Sequence, residues 1–168
     1  MTETMWSGRY LRALRDGTWE YAARTRDITA AVIVAVTDDD ELVLVEQHRV
    51  PLGRRTIEMP AGLVADEDEG ETLETAAARE LEEETGYRAA RIERLGEFAS
   101  SPGMTSETFT LVRAHGLTRV GHGGGHEGED ITVHLVPRAE IGAFVAARRA
   151  DGLAVDAKML LLLAGALV

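Results

Sequence analysis

Three glutamates between residues 72 and 85 have the side-chain type and spacing of a metal site. On an α-helix with about 100° per residue, Glu80, Glu83 and Glu84 fall within an arc of roughly 100°. Carboxylates that lie so near to one another repel, and they raise one another's pKa unless a positive charge lies among them. A divalent cation would remove this conflict, and hard oxygen ligands favour Mg²⁺ or Mn²⁺. A solvated acidic helix face is the alternative interpretation.

The element that must hold these glutamates is a helix. Residues 72–85 contain no Gly or Pro and are rich in Ala, Leu and Glu. Gly86 follows, and glycine suits the left-handed residue after a helix end. The sequence therefore predicts a helix over this range.

The same stretch resembles the Nudix box, whose pattern is Gly, five residues, Glu, seven residues, Arg-Glu, an apolar residue, any residue, Glu-Glu, any residue, Gly and an apolar residue. Glu71 matches that pattern, and after seven intervening residues so do Arg79-Glu80, Glu83-Glu84 and Gly86-Tyr87. The resemblance implies four metal ligands, which are Glu80, Glu83, Glu84 and the carbonyl of Ala61.

The resemblance also implies a catalytic role for Arg79 and Glu83, with Glu71 paired to Arg79 so that the helix is held against its loop. The chain departs from the pattern between Gly62 and Glu71, where eight residues replace five. The additional residues fall in the acidic run 66–69. We predict a longer exposed loop there, which costs little chain entropy.

An N-terminal segment resembles the subgroup of ADP-ribose pyrophosphatases. Trp19-Glu20, with Arg24 close behind, is similar to the TWE segment of these enzymes, in which the aromatic ring stacks on the nucleotide base and the arginine approaches phosphate. Ordinary packing of Trp19 and Tyr21 in a hairpin is the alternative.

Arg49 ends a segment, 46–49, that resembles the EQ-aromatic-R signature of this subgroup, with His48 in the aromatic position. A guanidinium offers paired donors that match phosphate oxygens, so Arg49 is a candidate clamp for phosphate or ribose. A surface salt bridge is the alternative.

Pro102 is the residue that most closely indicates the subgroup. It lies 16 residues after Gly86, the separation at which ADP-ribose pyrophosphatases carry a marker proline. Pro102-Gly103 is also a turn signal in its own right. We therefore predict that both residues lie at the substrate.

The glycine-rich stretch 121–130 is predicted to be a mobile catalytic loop. Glu127, Glu129 and Asp130 resemble the E-x-E-D-I segment of the subgroup, which implies that Glu127 is the general base and that Glu129 completes the metal site. Flexible glycines would let Glu127 swing in when substrate binds. His122 and His126 lack a frame that would fix them as metal ligands, and we do not predict that role for them.

Composition limits the function classes. The 168 residues suit one domain with a substantial core. A net charge of −11 argues against a partner that is duplex nucleic acid or an anionic membrane. The absence of cysteine excludes disulfides and thiolate catalysis. The N-terminus has no basic segment followed by an apolar core, and the apolar stretch 159–168 is too short to span a bilayer, so we expect a cytoplasmic protein.

Apolar runs and turn residues predict the other elements. Strands are expected at residues 5–14, 18–26, 30–36, 42–47, 91–100, 108–115 and 131–136, and helices at 138–149 and 155–167. Arg54 and Arg55 are predicted to lie solvated in a loop.

With the resemblance, these elements imply an α/β Nudix fold, in which a mixed β-sheet lies between helices. Residues 1–27 would form an N-terminal antiparallel β-extension and residues 28–168 the Nudix domain. As in the subgroup, the extension would be exchanged between subunits of a homodimer.

The implied function is Mg²⁺-dependent hydrolysis of the pyrophosphate bond of ADP-ribose, or of a related nucleoside diphosphate sugar, with two or three Mg²⁺ or Mn²⁺ ions per site. Hydrolysis of other nucleoside diphosphates and a non-catalytic nucleotide sensor are the alternatives.

Overall fold

The predicted carboxylate-bearing helix is present in the computed structural model of the chain. Helix α1 (Leu73–Thr85) begins after Thr72, whose hydroxyl accepts a hydrogen bond from Thr75 N at 3.2 Å. It ends at Gly86, which has a φ of 74° and donates to Glu82 O at 2.8 Å. A side chain with a Cβ is strained at that φ, so glycine fits this position. The structure describes residues 1–26, 28–64, 70–126 and 129–163.

Thirteen strands and two further helices are described besides α1. The strands are β1 (Glu3–Ser7), β2 (Leu11–Asp16), β3 (Trp19–Arg24), β4 (Ala30–Ala35), β5 (Glu41–Arg49), β6 (Arg54–Glu58), β7 (Ala61–Leu63), β8 (Tyr87–Arg88), β9 (Arg91–Ala99), β10 (Thr108–His115), β11 (Thr118–Arg119), β12 (Thr132–Pro137) and β13 (Ala154–Val155). The helices are α2 (Ile141–Ala150) and α3 (Leu160–Leu163). Short 3₁₀ turns lie at Val50–Leu52, Arg138–Glu140 and Ala157–Met159.

These strands form an N-terminal sheet and a central pair of sheets. The N-terminal sheet has the antiparallel order β1-β2-β3. The central sheets have the orders β7-β4-β10-β9 and β12-β5-β6-β13, and each contains one parallel pair, β4 with β10 and β6 with β13. Strands β8 and β11 form a small separate ladder.

Strand β4 is buried on both faces, and its alternate residues contribute to different halves of the core. Ile33 packs in a cluster with Leu81 of α1, whereas Val32 packs in a cluster with Ile141 of α2. Because side chains alternate across a strand, a continuous apolar run such as that of β4 indicates burial on both sides. The prediction of an α/β fold with mixed sheet between helices and an N-terminal antiparallel sheet is confirmed.

Two predictions were wrong, one in the N-terminal sheet and one in the β5–β6 hairpin. The strand predicted at 5–14 is interrupted by a turn in which Gly8 N donates to Leu11 O at 2.8 Å, so the extension has three strands instead of two. Arg54 and Arg55 lie in β6 and not in a loop, because β6 pairs with β5 from Arg49–Arg54 to Val45–Glu58.

The helix predicted at 155–167 was also wrong at its start. Ala154 and Val155 pair with Thr56 and Ile57 of β6 as strand β13. Asp156 then caps a 3₁₀ turn by accepting from Lys158 N at 2.8 Å. A two-residue strand depends on its distant partner, so local periodicity could not predict it.

Candidate active site

Arg79 lies among the carboxylates of the box. Its Nε and Nη2 donate to Glu71 at 3.1 and 3.3 Å, which is the predicted orienting pair. Its Nη1 donates to Glu80 at 3.1 Å and to Glu83 at 2.9 Å. The hydrogen bond to Glu71 is the main cause that raises the pKa of Arg79, and the charges of Glu80 and Glu83 add to it. One guanidinium therefore neutralises two of the predicted metal ligands.

Glu84 is the most buried of the predicted ligands. Its side chain accepts a hydrogen bond from Ala61 N at 3.1 Å, and the residue is only 7% exposed. Burial raises the pKa of Glu84 to about 8, the Ala61 hydrogen bond opposes that shift, and the charges of Glu80 and Glu129 add to it. This shift favours the protonated form of the carboxyl, and a bound cation would favour the ionised form.

Glu80 lies against the backbone of the box loop. Burial raises the pKa of Glu80; Arg79 opposes the shift, and the charges of Glu83 and Glu129 add to it. Gly62 of β7 is the residue that makes room for the Glu80 side chain, because a Cβ at Gly62 would overlap Glu80 Cγ and Cδ. The absence of a side chain at Gly62 thus sets the position of one predicted ligand.

The glycine-rich loop is packed on the C-terminal end of α1. Gly124 N donates to Glu84 O at 2.9 Å and Gly125 N to Glu83 O at 3.0 Å. Both glycines have positive φ, and so does Gly123, where a Cβ would overlap the backbone of Thr85. These donors satisfy helix carbonyls that have no partner within the helix.

The described part of this loop is therefore held against α1, and its glycines serve close packing. That differs from the flexibility that we predicted for them. Glu129 Oε2 accepts from His126 N at 2.9 Å, and His126 Nε2 lies 3.0 Å from Glu83 Oε2. Glu127, the predicted general base, and the whole acidic run 66–69 fall outside the described residues.

Arg55 holds the other end of the loop. Its Nη1 donates to Asp130 Oδ2 at 2.6 Å, and its Nη2 donates to Asp130 O and to Thr132 Oγ1, each at 3.2 Å. Its Nε donates to Glu46 at 2.5 Å, and His134 Nε2 lies 3.0 Å from the same carboxylate. This network anchors the segment that follows Glu129 to strands β5 and β6.

A cavity of about 270 Å³ adjoins the carboxylates, because Ala61 and Gly62 form part of its wall. Two predicted substrate-binding residues, Arg24 and Arg49, lie in the same wall. Arg49 donates to Glu58 from Nε and Nη2 at 2.8 and 2.7 Å. The two interpretations of Arg49 thus coexist, since it forms a salt bridge and also faces a cavity.

Arg24 has a similar partner across this cavity. Its Nε and Nη2 donate to Glu107 Oε1 at 2.9 and 2.5 Å. The hydrogen bond to Glu58 is the main cause that raises the pKa of Arg49. Both arginines are therefore oriented by carboxylates and remain charged in the cavity wall.

A second cavity, of about 450 Å³, contains three of the predicted substrate-binding residues. Trp19, Pro102 and Gly103 line it together with Tyr21. The indole of Trp19 is open to solvent, with the residue 64% exposed. The structure thus brings together residues that are more than 80 positions apart in the sequence.

Strand β3 joins the two cavities, since it is paired with the loop that separates them. Ala22 N donates to Met104 O at 2.9 Å, and Ser106 N donates to Ala22 O at 3.0 Å. Glu20, which we also predicted at the substrate, lies exposed opposite Arg15 in the β2–β3 ladder, and it is not part of either cavity wall in the described structure.

Sequence reasoning missed the carboxylates that orient the arginines. Glu58 and Glu107 belong to no local motif that the sequence analysis identified. Recognition of β6 as a strand would have placed Glu58 across the hairpin from Arg49, because the two residues lie nine positions apart around a short turn.

The arrangement suits the binding of anions beside a cluster of carboxylates. Within the described ranges, no group of three or more His, Asp or Glu side chains is arranged to hold a metal ion. Arg79 lies between Glu80 and Glu83 instead.

Among the residues that the structure describes, no helix is long and apolar enough to cross a membrane.

Comparisons with known proteins identify a matching family model and several similar proteins. The NUDIX domain model matches residues 27–160. The methanol dehydrogenase activator of Bacillus methanolicus is 36% identical over 141 residues, which cover 80% of this chain and 74% of that protein. ADP-ribose pyrophosphatases of Bacillus subtilis (strain 168) and Mycobacterium tuberculosis are 40% and 39% identical over 53% and 66% of this chain.

The matched parts span 46% and 53% of these two pyrophosphatases, so the chain covers about half of their length. The crystal structure of an ADP compounds hydrolase superimposes on this chain with a TM-score of 0.69 at 25% identity. The superposition covers 87% of this chain and 80% of the chain of that hydrolase.

Proposed function

The chain belongs to the Nudix family, and on that premise we propose that it hydrolyses the pyrophosphate bond of ADP-ribose or a closely related nucleoside diphosphate sugar. The products would be a nucleoside monophosphate and a sugar phosphate. The observation that carries this proposal is the proximity of the buried Glu84 cluster to the cavity lined by Arg24 and Arg49. That cavity adjoins, across one loop, the cavity lined by Trp19.

Nudix hydrolases generally use divalent cations, and the carboxylates of the site have the oxygen donors that these ions prefer, although Arg79 lies between Glu80 and Glu83 in this structure. Beyond the effect of burial, the charges of Glu83 and Glu129 raise the pKa of Glu80, and the charges of Glu80 and Glu129 raise the pKa of Glu84, so these four carboxylates lie close together. Oxygen-only donors of this kind suit Mg²⁺ or Mn²⁺, and we propose two or three ions with the Ala61 carbonyl as a further ligand. When bound, the ions would offset the phosphate charge and lower the pKa of a coordinated water.

Side chains of this enzyme have separate tasks in the proposed reaction. Arg24 and Arg49 would donate to phosphate oxygens, since each guanidinium uses only two of its nitrogens on its carboxylate. Arg79 would hold Glu80 and Glu83 in place. Glu127 would accept the proton of the water that attacks phosphorus, which remains a prediction from resemblance. The exposed Trp19 would stack on the base.

The test of this function is turnover by the full chain with Mg²⁺ over a panel of ADP-ribose, UDP-glucose, GDP-mannose, diadenosine polyphosphates, NADH, CDP and UDP. We expect the highest kcat/KM with ADP-ribose. A preference for another sugar nucleotide or a bare diphosphate would keep the hydrolase and replace the substrate. Absence of turnover with every compound would leave the non-catalytic sensor as the function.

Substitution of Trp19 by alanine should mainly weaken substrate binding. Loss of base stacking is expected to raise KM about tenfold while kcat changes less than about threefold. Steady-state kinetics with ADP-ribose measure both constants. Met104→Ala is a matched control, because Met104 is also exposed and lies in the adjoining loop but not in the cavity wall. An unchanged KM in Trp19→Ala would remove Trp19 from the base site.

We also propose that the chain is a homodimer in which the extension of residues 1–27 reaches the partner subunit, in the cytoplasm. The N-terminal sheet supports this, because Trp6 and Tyr10 are each 60% exposed and Met5 and Leu11 are about half exposed beside them. Four large apolar side chains exposed within one short sheet favour a surface that contacts a partner.

Trp6→Glu should therefore dissociate the dimer. Light scattering of the unmodified chain is expected to give twice the chain mass of 18.2 kDa, and the variant should give the chain mass at micromolar concentration. Val50→Glu, at an exposed position of the 3₁₀ turn after β5, should leave the mass unchanged. A monomeric unmodified chain would end the exchange proposal without affecting the chemistry.

A further inference from the structure

Lys158 is the only lysine of the chain and has no task in the function proposed above. Its side chain lies in the wall of the same cavity as Arg24 and Arg49. No family resemblance or sequence motif identified Lys158. The sequence predicted the segment that contains it as an apolar helix, which gave no reason to place it at a site. It is the third cation of this cavity and comes from a different part of the chain.

The position of Lys158 is fixed by the turn that follows β13. Asp156 accepts a hydrogen bond from Lys158 N at 2.8 Å and also forms an ion pair with Lys158 Nζ. Asp156 N donates in turn to Ile57 O at 3.0 Å, so the turn is tied to β6 immediately before Glu58. The ammonium also lies 5.8 Å from the ring centroid of Phe109, another residue of the cavity wall.

Each cation of the cavity has a carboxylate partner, and Lys158, like the two arginines, keeps donors that its partner does not use. An ammonium has three N–H donors. Among the described residues, Asp156 is the only hydrogen-bond partner of Nζ, which leaves two donors for a ligand. The residue is half-buried, with the side chain 26% exposed, so a contact made there is only partly screened by water.

Phosphate oxygen is the chemical group that best matches this position. Ala61 and Gly62 contribute to the same cavity wall, and they contact Glu84 and Glu80 respectively. A diphosphate bound at those carboxylates must therefore pass beside the cavity that contains Lys158. An ammonium attracts phosphate as a compact point charge and needs no fixed plane.

We propose that Lys158 is a substrate-binding residue whose ammonium donates to a phosphate oxygen of the nucleoside diphosphate sugar, with Asp156 as its positioning partner. This inference rests on the proposed function. Lys158 would bind the diphosphate, and the base would bind in the cavity lined by Trp19.

Because the chain has one lysine, growth on ¹³C-lysine labels only Lys158 and leaves all three N–H donors of its ammonium in place. We expect its Cε signal in a ¹H–¹³C spectrum to shift and saturate during titration with the non-hydrolysable α,β-methylene analogue of ADP-ribose. The signal is assigned by its loss in Lys158→Met. Adenosine, which has no phosphate, should leave it in place.

Calorimetry with the same analogue separates the two ways in which the experiment can fail. If the analogue binds and the lysine signal does not move, Lys158 is not at the phosphate and only this inference is overturned. If the analogue does not bind at millimolar concentration, the proposed function is overturned and this inference with it.

Kinetics give a second, independent readout. Lys158→Met should raise KM for ADP-ribose about tenfold and change kcat less than about threefold, and Lys158→Arg should recover part of the loss. Arg138→Met is the matched control, since Arg138 pairs with Asp40 at the opposite end of β5 from Arg49. An equal loss in both variants, or an unchanged KM in Lys158→Met, would overturn the inference.

Discussion

Glu84→Gln is expected to lower kcat by about a thousandfold or more while the fold is retained. Glutamine keeps the volume of the side chain, and its amide oxygen can still accept the hydrogen bond from Ala61 N. It removes the negative charge that a divalent cation requires from its most buried ligand. Turnover of ADP-ribose with Mg²⁺ measures the loss, and circular dichroism checks the fold.

Glu82→Gln is the matched control for this variant. Glu82 lies on the same helix, two residues earlier, but pairs with Arg88 on the exposed side. We expect its kcat to stay within about twofold of the unmodified value, because surface pairs contribute little. Full activity of Glu84→Gln would defeat the metal assignment.

The same substitution should change how stability depends on pH. Burial raises the folded-state pKa of Glu84 from 4.5 to about 8. Between these values the folded protein binds more protons than the unfolded chain, so the free energy of unfolding falls as pH rises. The fall approaches about 1.4 kcal/mol per pH unit within this window. Glutamine does not titrate, so the variant lacks this contribution.

Urea unfolding in EDTA at pH 6 and pH 8 measures that difference. The unmodified chain should lose stability between the two values, and Glu84→Gln should lose less. A parallel pH dependence in both proteins would show that Glu84 is not the buried titrating group. Adding Mg²⁺ at pH 8 should restore stability to the unmodified chain, because an ion that binds only the folded state stabilises it.

Local signals were enough to predict α1. They did not predict the elements that form only through pairing with a distant part of the chain. Thr72 and Gly86 mark the two ends of that helix, and each does so through bonds within a few residues. By contrast, β13 exists only because Thr56 and Ile57 offer a strand edge about a hundred residues earlier in the chain. The misplaced helix at 155–167 hid Lys158 for the same reason.

The site shows the same division between local and distant causes. The five metal-ligand candidates follow from spacing and resemblance, and helix geometry keeps three of them together. The position of Arg79 between Glu80 and Glu83 depends on a side-chain conformation that spacing does not specify. Arg55 and Asp130 lie 75 positions apart, so no motif could pair them.

Gly62→Ala is expected to lower kcat/KM about a hundredfold without a loss of stability that explains it. A Cβ at Gly62 would overlap Glu80 Cγ and Cδ, so the Glu80 side chain must leave its place. Gly62 is not among the glycines with positive φ, and alanine therefore adds no backbone strain there. The effect should appear as weaker Mg²⁺ activation, measured by turnover against metal concentration.

Two further variants decide whether Glu80 is the cause. Gly142→Ala, in α2, meets no atom within 4 Å and should keep full activity. Glu80→Asp shortens the displaced side chain, so we expect the double variant Gly62→Ala/Glu80→Asp to lose little more than the worse single variant. Independent, multiplied losses would mean that Gly62 acts on the reaction through some contact other than Glu80. Strong coupling would assign the box glycine to the placement of a single metal ligand.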